Sequence, residues 1–166
     1  MPDYKFNADE IFEMALEIER NGAAFYRAAA NKVPEEDQKQ TLRELADMED
    51  DHYKTFEAMR AELSDDQRET QWADPEDQIA KYLRTYADLY VFDVREDPAA
   101  FIKDDTPMGA IYMKAIDRER DSILFYVGMK EMVPESLGAT RIDDIIREEI
   151  SHITTLNDEL EKLGGA

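Results

Sequence analysis

One pattern is written twice in this chain, and few folds can accommodate it. Glu49-Asp50-Asp51-His52 returns as Glu149-Ile150-Ser151-His152, and these segments hold both histidines of the 166 residues. Thirty residues before each motif glutamate stands another, Glu19 and Glu119, and seven residues after each of those a tyrosine, Tyr26 and Tyr126. Every one of these pairs is separated by one hundred residues, and the same shift lays Ala15 on Ala115, Arg20 on Arg120, Phe25 on Phe125 and Val33-Pro34-Glu35 on Val133-Pro134-Glu135. A single Glu-x-x-His on an acidic helix is ordinarily a solvated face. Two copies in matching surroundings mark an internal duplication, so the fold has to bring two equivalent halves together.

Each half reads as a pair of long helices. Asn7 followed by Glu10 is a capping box, after which Ile11, Phe12, Ala15, Leu16, Ile18, Ala23, Phe25 and Tyr26 recur at helical spacing up to Lys32. Val33-Pro34 breaks that helix, and a second runs from about Glu35 to Leu63 with Leu42, Leu45, Ala46, Met48, His52, Phe56 and Met59 inward. The third starts near Pro107 after a cap at Thr106, and passes through Ile111, Tyr112, Ala115, Ile116, Glu119, Ile123, Phe125 and Tyr126 to about Met132. The fourth begins between Glu135 and Arg141, turns Ile142, Ile145, Ile146, Glu149, His152 and Leu156 inward, and ends before Gly164-Gly165.

Residues 64–106 form the crossover between the halves. Ser64 to Glu69 reads as a polar loop, and Asp74-Pro75 caps a shorter helix from about Glu76 to Phe92. That helix carries Ile79, Tyr82, Leu83, Tyr86, Leu89 and Tyr90, a stripe suited to packing at the bundle end or between two chains, with a binding groove as the alternative. The fold expected is all-α: a single-domain four-helix bundle over 1–166, built from two repeated helix pairs. Each pair can pack on its own partner pair or on that of a second chain, and a homodimer is expected.

Composition removes most other chemistries. There is no cysteine, which excludes a disulfide framework, a thiolate metal site and a cysteine nucleophile. Both histidines are already placed in the motifs, so a Ser-His-Asp mechanism is improbable, and no Gly-rich phosphate loop opens a helix after a strand. A formal charge of -20 opposes binding to nucleic acid or anionic membrane, and it concentrates cations around the chain. With no basic patch leading into an apolar run at Met1-Pro2-Asp3-Tyr4-Lys5, the expected location is cytoplasmic.

On a helix, residues three apart lie one turn apart on one face, so Glu49 with His52, and Glu149 with His152, can aim donor atoms at one point. Adding Glu19 and Glu119 gives one glutamate from each of two helices and a Glu-x-x-His from each of the others, the ligand inventory of a two-metal carboxylate bundle. Four carboxylates with two neutral imidazoles are balanced by two divalent cations; without such charge, burying them is costly. Tyr26 and Tyr126 can donate hydrogen bonds to the ligand carboxylates, or serve simply as core tyrosines.

In these motifs the chain resembles the rubrerythrin branch of the ferritin-like superfamily, over all four long helices. The resemblance implies a non-haem two-iron centre, bridged by Glu49 and Glu149, that reduces hydrogen peroxide or dioxygen, in proteins that commonly dimerise. Two departures stand out. Rubrerythrins proper carry a four-cysteine rubredoxin domain that delivers electrons; these residues have none, so a separate donor protein is expected. The peroxidases of this type also carry a further glutamate one turn after the third helix's ligand, where this chain has Ser122, which puts peroxidase activity in question. The alternatives are a ferroxidase or iron-storage protein, a manganese centre with catalase-like activity, and a purely structural metal site.

Overall fold

The computed structural model describes residues 7–69, 78–86 and 97–164. Among them are six α-helices: α1 (Ala8–Lys32), α2 (Glu36–Ala61), α3 (Asp65–Glu69), α4 (Gln78–Tyr86), α5 (Met108–Met132) and α6 (Ala139–Gly164). The four long ones contain 25, 26, 25 and 26 residues in chain order, so the duplication is kept in length as well as in sequence. No strand occurs among the described residues, and no helix there is long and apolar enough to cross a membrane.

α1 begins as its capping box dictates. The Asn7 side chain accepts from the Glu10 backbone N–H at 2.9 Å, and the Glu10 carboxylate accepts from the Asn7 N–H at 3.0 Å. It ends because Pro34 forces the preceding Val33 into extended backbone, φ -73 and ψ 130. Val133 before Pro134 stops α5 in the same way, at φ -78 and ψ 122. The halves then differ. α2 starts two residues after its proline, whereas Pro134 leads into a 3-10 turn, Glu135–Leu137, and Gly138 at φ 94 before α6 starts. Only glycine takes that backbone conformation at little cost, and a Cβ there would also lie 2.8 Å from Arg141 Nε.

Several boundaries differ from the sequence reading. Ser64 to Glu69 is not a loop, because Ser64 and Gln67 form a second capping box that starts α3. Thr106 does not cap α5: its hydroxyl accepts from Lys103 N–H and donates to the Phe101 carbonyl. Pro107 takes the cap position instead, its carbonyl accepting from Ala110 and Ile111. α6 runs through Gly164, since a glycine can hold helical angles for a last residue. Met48 is 37% exposed, lying at the edge of the inward line formed by Leu45, Glu49, His52, Phe56 and Met59.

α1 pairs with α2 and α5 with α6, and the pairs meet through α1 against α5 and α2 against α6. The bundle is thus complete within one chain. Its apolar core is in two parts. One cluster includes Ile11, Phe12, Phe56, Met59, Phe125, Met129 and Ile142; the other includes Phe25, Ala29, Leu42, Leu45, Ile111, Tyr112 and Leu156. On every long helix the motif glutamates and histidines fall between the stretches that build these clusters. Each fully buried Phe, Leu or Ile contributes about 1.5–3 kcal/mol, so the apolar layers hold the helices together on both sides of a polar layer that opposes packing.

α4 covers α5 beside Gly128, where a Cβ would lie 2.8 Å from the Tyr82 ring and 2.9 Å from Leu83 Cδ2. Leu83 is fully buried, Ile79 and Tyr82 pack against the core, and the Tyr82 hydroxyl donates to the Leu124 carbonyl at 2.7 Å. These three residues of the aromatic stripe serve packing within the bundle. The side chain of Tyr86, together with Leu89, Tyr90, Asp74 and Pro75, lies outside the described residues. Polar pinning adds to this at one end of the bundle: Arg60 forks onto both Asp9 oxygens at 2.8 and 2.6 Å, and Arg68 donates to Asp9 at 2.7 Å. The Arg60 hydrogen bond holds the Asp9 carboxyl below the usual range.

Candidate metal centre

The structure brings Glu19, Glu49, His52, Glu119, Glu149 and His152 together in the polar layer, none more than 3% exposed. They form two overlapping groups, in each of which one donor atom per residue lies within 4.8 Å of all the others. The first is Glu19, Glu49, His52 and Glu149; the second is Glu49, Glu119, Glu149 and His152. Glu49 and Glu149 belong to both, so each helix pair supplies one terminal carboxylate, one histidine and one shared carboxylate. This is what two symmetric Glu-x-x-His helices produce when their faces meet across the axis of the bundle.

The histidines lie with ring centroids 5.7 Å apart and planes inclined by 22°. Their Nδ1 atoms face the carboxylates. His52 Nδ1 is 3.1 Å from Glu149 Oε1 and 3.5 Å from Glu19 Oε2; His152 Nδ1 is 2.9 Å from Glu149 Oε2 and 3.5 Å from both Glu49 Oε1 and Glu119 Oε1. These groups attract one another without being aligned for hydrogen bonds. Glu19 Oε2, Glu49 Oε1, both Glu149 oxygens and both Nδ1 atoms are buried with no hydrogen-bond partner. Buried polar atoms are otherwise almost always paired. Six unpartnered donors converging from α1, α2 and α6 fit a pair of metal ions, which would satisfy all of them at once.

The electrostatics agree. Burial first, and then neighbouring carboxylates, push the carboxyls of Glu19 and Glu49 up, and that of Glu119 up to about 8. Burial opposes charge on the two imidazoles, yet the carboxylates around them outweigh it and raise both to about 12. The layer therefore demands positive charge, as protons or as cations.

Tyr26 and Tyr126 are fully used, and crosswise. The Tyr26 hydroxyl donates to Glu119 Oε1, and the Tyr126 hydroxyl to Glu19 Oε1, so each half of the repeat orients the terminal carboxylate of the other. Burial, then the accepting glutamate, pushes each phenol well above its ordinary value, and both remain donors. Two further residues were not evident from sequence. Glu148, next to the motif glutamate, accepts from His52 Nε2 at 2.7 Å. Gly22, one turn after Glu19, leaves room for Glu49: a Cβ there would lie 2.5 Å from Glu49 Oε2. Its repeat mate Ser122 is buried, with its hydroxyl turned back to the Arg118 carbonyl at 3.0 Å.

The Gly22 contact predicts a separable effect. Gly22→Ala favours the helix by about 1 kcal/mol, so the metal-free protein should unfold at the same temperature or higher. The displaced Glu49 carboxylate should nevertheless weaken metal binding. Thermal unfolding with chelator and metal titration of the same preparation check both halves of this expectation.

A four-helix bundle with two overlapping glutamate–histidine donor groups in its core defines the ferritin-like class of carboxylate metal proteins. The rubrerythrin family model matches residues 10–160, and the chain belongs to that family. Its fold is shared with a Thermotoga maritima protein assigned to the ferritin-like diiron-carboxylate class, with a TM-score of 0.71 and 23% identity over 95% of this chain and 97% of that one. Comparison with curated proteins gave no match.

Proposed function

We propose that this chain is a two-iron oxidoreductase that reduces hydrogen peroxide or dioxygen with electrons from a separate donor protein. The observation that carries this reading is the pair of donor groups sharing Glu49 and Glu149, with their inward atoms unpartnered. Glu19 and His52 would hold one ion, Glu119 and His152 the other, and the shared carboxylates both. Two redox-active ions so held supply a pair of electrons to an oxygen substrate. The residues of the chain do the rest. Tyr26 and Tyr126 fix the terminal carboxylates, and the buried apolar layers keep the centre from bulk water.

A homodimer is part of the proposal. Met113, Leu124 and Val127 are exposed on one side of α5, a face suited to a second copy. Light scattering of the metal-loaded protein should give a dimer at micromolar concentration; a stable monomer contradicts this part alone.

The test of function is anaerobic loading with Fe(II), followed by separate challenge with peroxide and with dioxygen. Oxidation of two irons per chain, reversed repeatedly by an external reductant, is expected. Accumulation of many irons per chain would indicate storage, and a centre that takes manganese in preference would shift the chemistry to disproportionation of peroxide. Ser122→Glu should raise the rate of oxidation by peroxide relative to dioxygen, because it sets a further carboxylate one turn after Glu119. Stopped-flow comparison with the unmodified protein measures the ratio.

A further inference from the structure

The repeat is symmetric in the candidate ligands but not in what stands behind them. His52 Nε2 lies 2.7 Å from Glu148 Oε2, so its N–H donates outward to that carboxylate and Nδ1 is the ring nitrogen left facing Glu19 and Glu149. The repeat mate of His52 is His152, and the mate of Glu148 is Met48. A thioether is a weak acceptor, and His152 Nε2 is buried with no hydrogen-bond partner. One imidazole is thus fixed from its outer side by a hydrogen bond, and the other has no such partner behind it. Outer partners of this kind are worth about 10–100-fold in metal affinity.

We infer that the two metal positions are unequal: the one at Glu19 and His52 fills first and holds its ion more tightly, and the one at Glu119 and His152 is the exchangeable position. Glu148 acts as a positioning residue, through His52. Met48 marks where the second half of the centre lacks the same support. The inference rests on the proposal that the centre takes two ions, and adds the order in which they bind and leave.

Both residues can be changed without disturbing the core, since the Glu148 side chain is 57% exposed and Met48 is 37% exposed. The probe is Co(II), titrated anaerobically into metal-free protein and followed by its visible absorption, with anomalous diffraction from crystals prepared at one equivalent. In the unmodified protein the single equivalent should lie at His52, and a second step should follow with affinity weaker by about 10–100-fold. Glu148→Met should weaken the first step, Met48→Glu should strengthen the second, and the two changes together should place the first ion at His152.

Glu148→Gln keeps an acceptor for the N–H but removes the charge, so it should retain the order of filling. Equal occupancy at one equivalent, filling of the His152 position first, or an order unmoved by the exchanged pair of substitutions overturns the inference while two ions still bind. Failure of the core to take two ions at saturation overturns the underlying proposal as well.

Discussion

Replacing Glu149 by alanine is expected to reduce core metal binding from two ions per chain to one weakly held ion or none, with the helical fold intact. Glu149 is in both donor groups, its two oxygens lie 3.1 and 2.9 Å from the two histidine Nδ1 atoms, and neither oxygen has a hydrogen-bond partner. Losing it removes a ligand from each position at once. The metal-free protein should be weakened as well, because Glu149 stands between the two imidazoles, which the carboxylates around them hold positively charged. A cavity in place of the side chain costs roughly 2 kcal/mol, and removing one partner of a buried pair costs about 3–5 kcal/mol. The metal-free variant should therefore unfold at a lower temperature than the unmodified chain. Elemental analysis and thermal unfolding in chelator measure the two outcomes; tight binding of two ions by Glu149→Ala contradicts the sharing of this carboxylate.

The second large effect is on pH dependence, which metal should reverse. In the metal-free protein Glu119 is raised from the ordinary 4.5 to about 8, with Glu19 and Glu49 raised as well, mainly by burial. Groups raised in this way bind more protons folded than unfolded. Their contribution is fully present below 4.5 and is lost as pH rises through the folded value. His52 and His152, raised from 6.5 to about 12, act with the same sign from 6.5 upward. Metal-free protein should therefore lose stability steadily between pH 5 and 8. Metal ligands must be deprotonated, so loaded protein should lose stability as pH falls across that range. The gap between the two unfolding temperatures should widen with pH. A metal-free curve that rises from pH 5 to 8 contradicts the account.

The helices and the six clustered side chains were legible because both depend on spacing along one helix. The apolar period, the capping box at Asn7, the prolines at 34 and 134 and the one-hundred-residue shift are all local to the chain. What escaped depends on how one helix is turned against another. Nothing in the spacing sets Glu148 of α6 against His52 of α2, or passes the Tyr26 hydroxyl to Glu119 rather than to its own half. Those contacts follow from packing of the two apolar clusters, which fixes the rotation of each helix. Gly22 did carry a signal, a small residue one turn after Glu19 matched by Ser122 one turn after Glu119, but its meaning needed the position of the Glu49 carboxylate. The cap at Ser64 was readable as Ser-x-x-Gln and was hidden by the polar residues around it.

The most direct test is anomalous diffraction at the iron edge from protein loaded anaerobically with Fe(II). Two peaks per chain are expected inside the bundle, one beside Glu19 and His52 and one beside Glu119 and His152, with Glu49 and Glu149 reaching both. A single core peak, or iron confined to the carboxylates of the protein surface, would contradict this expectation.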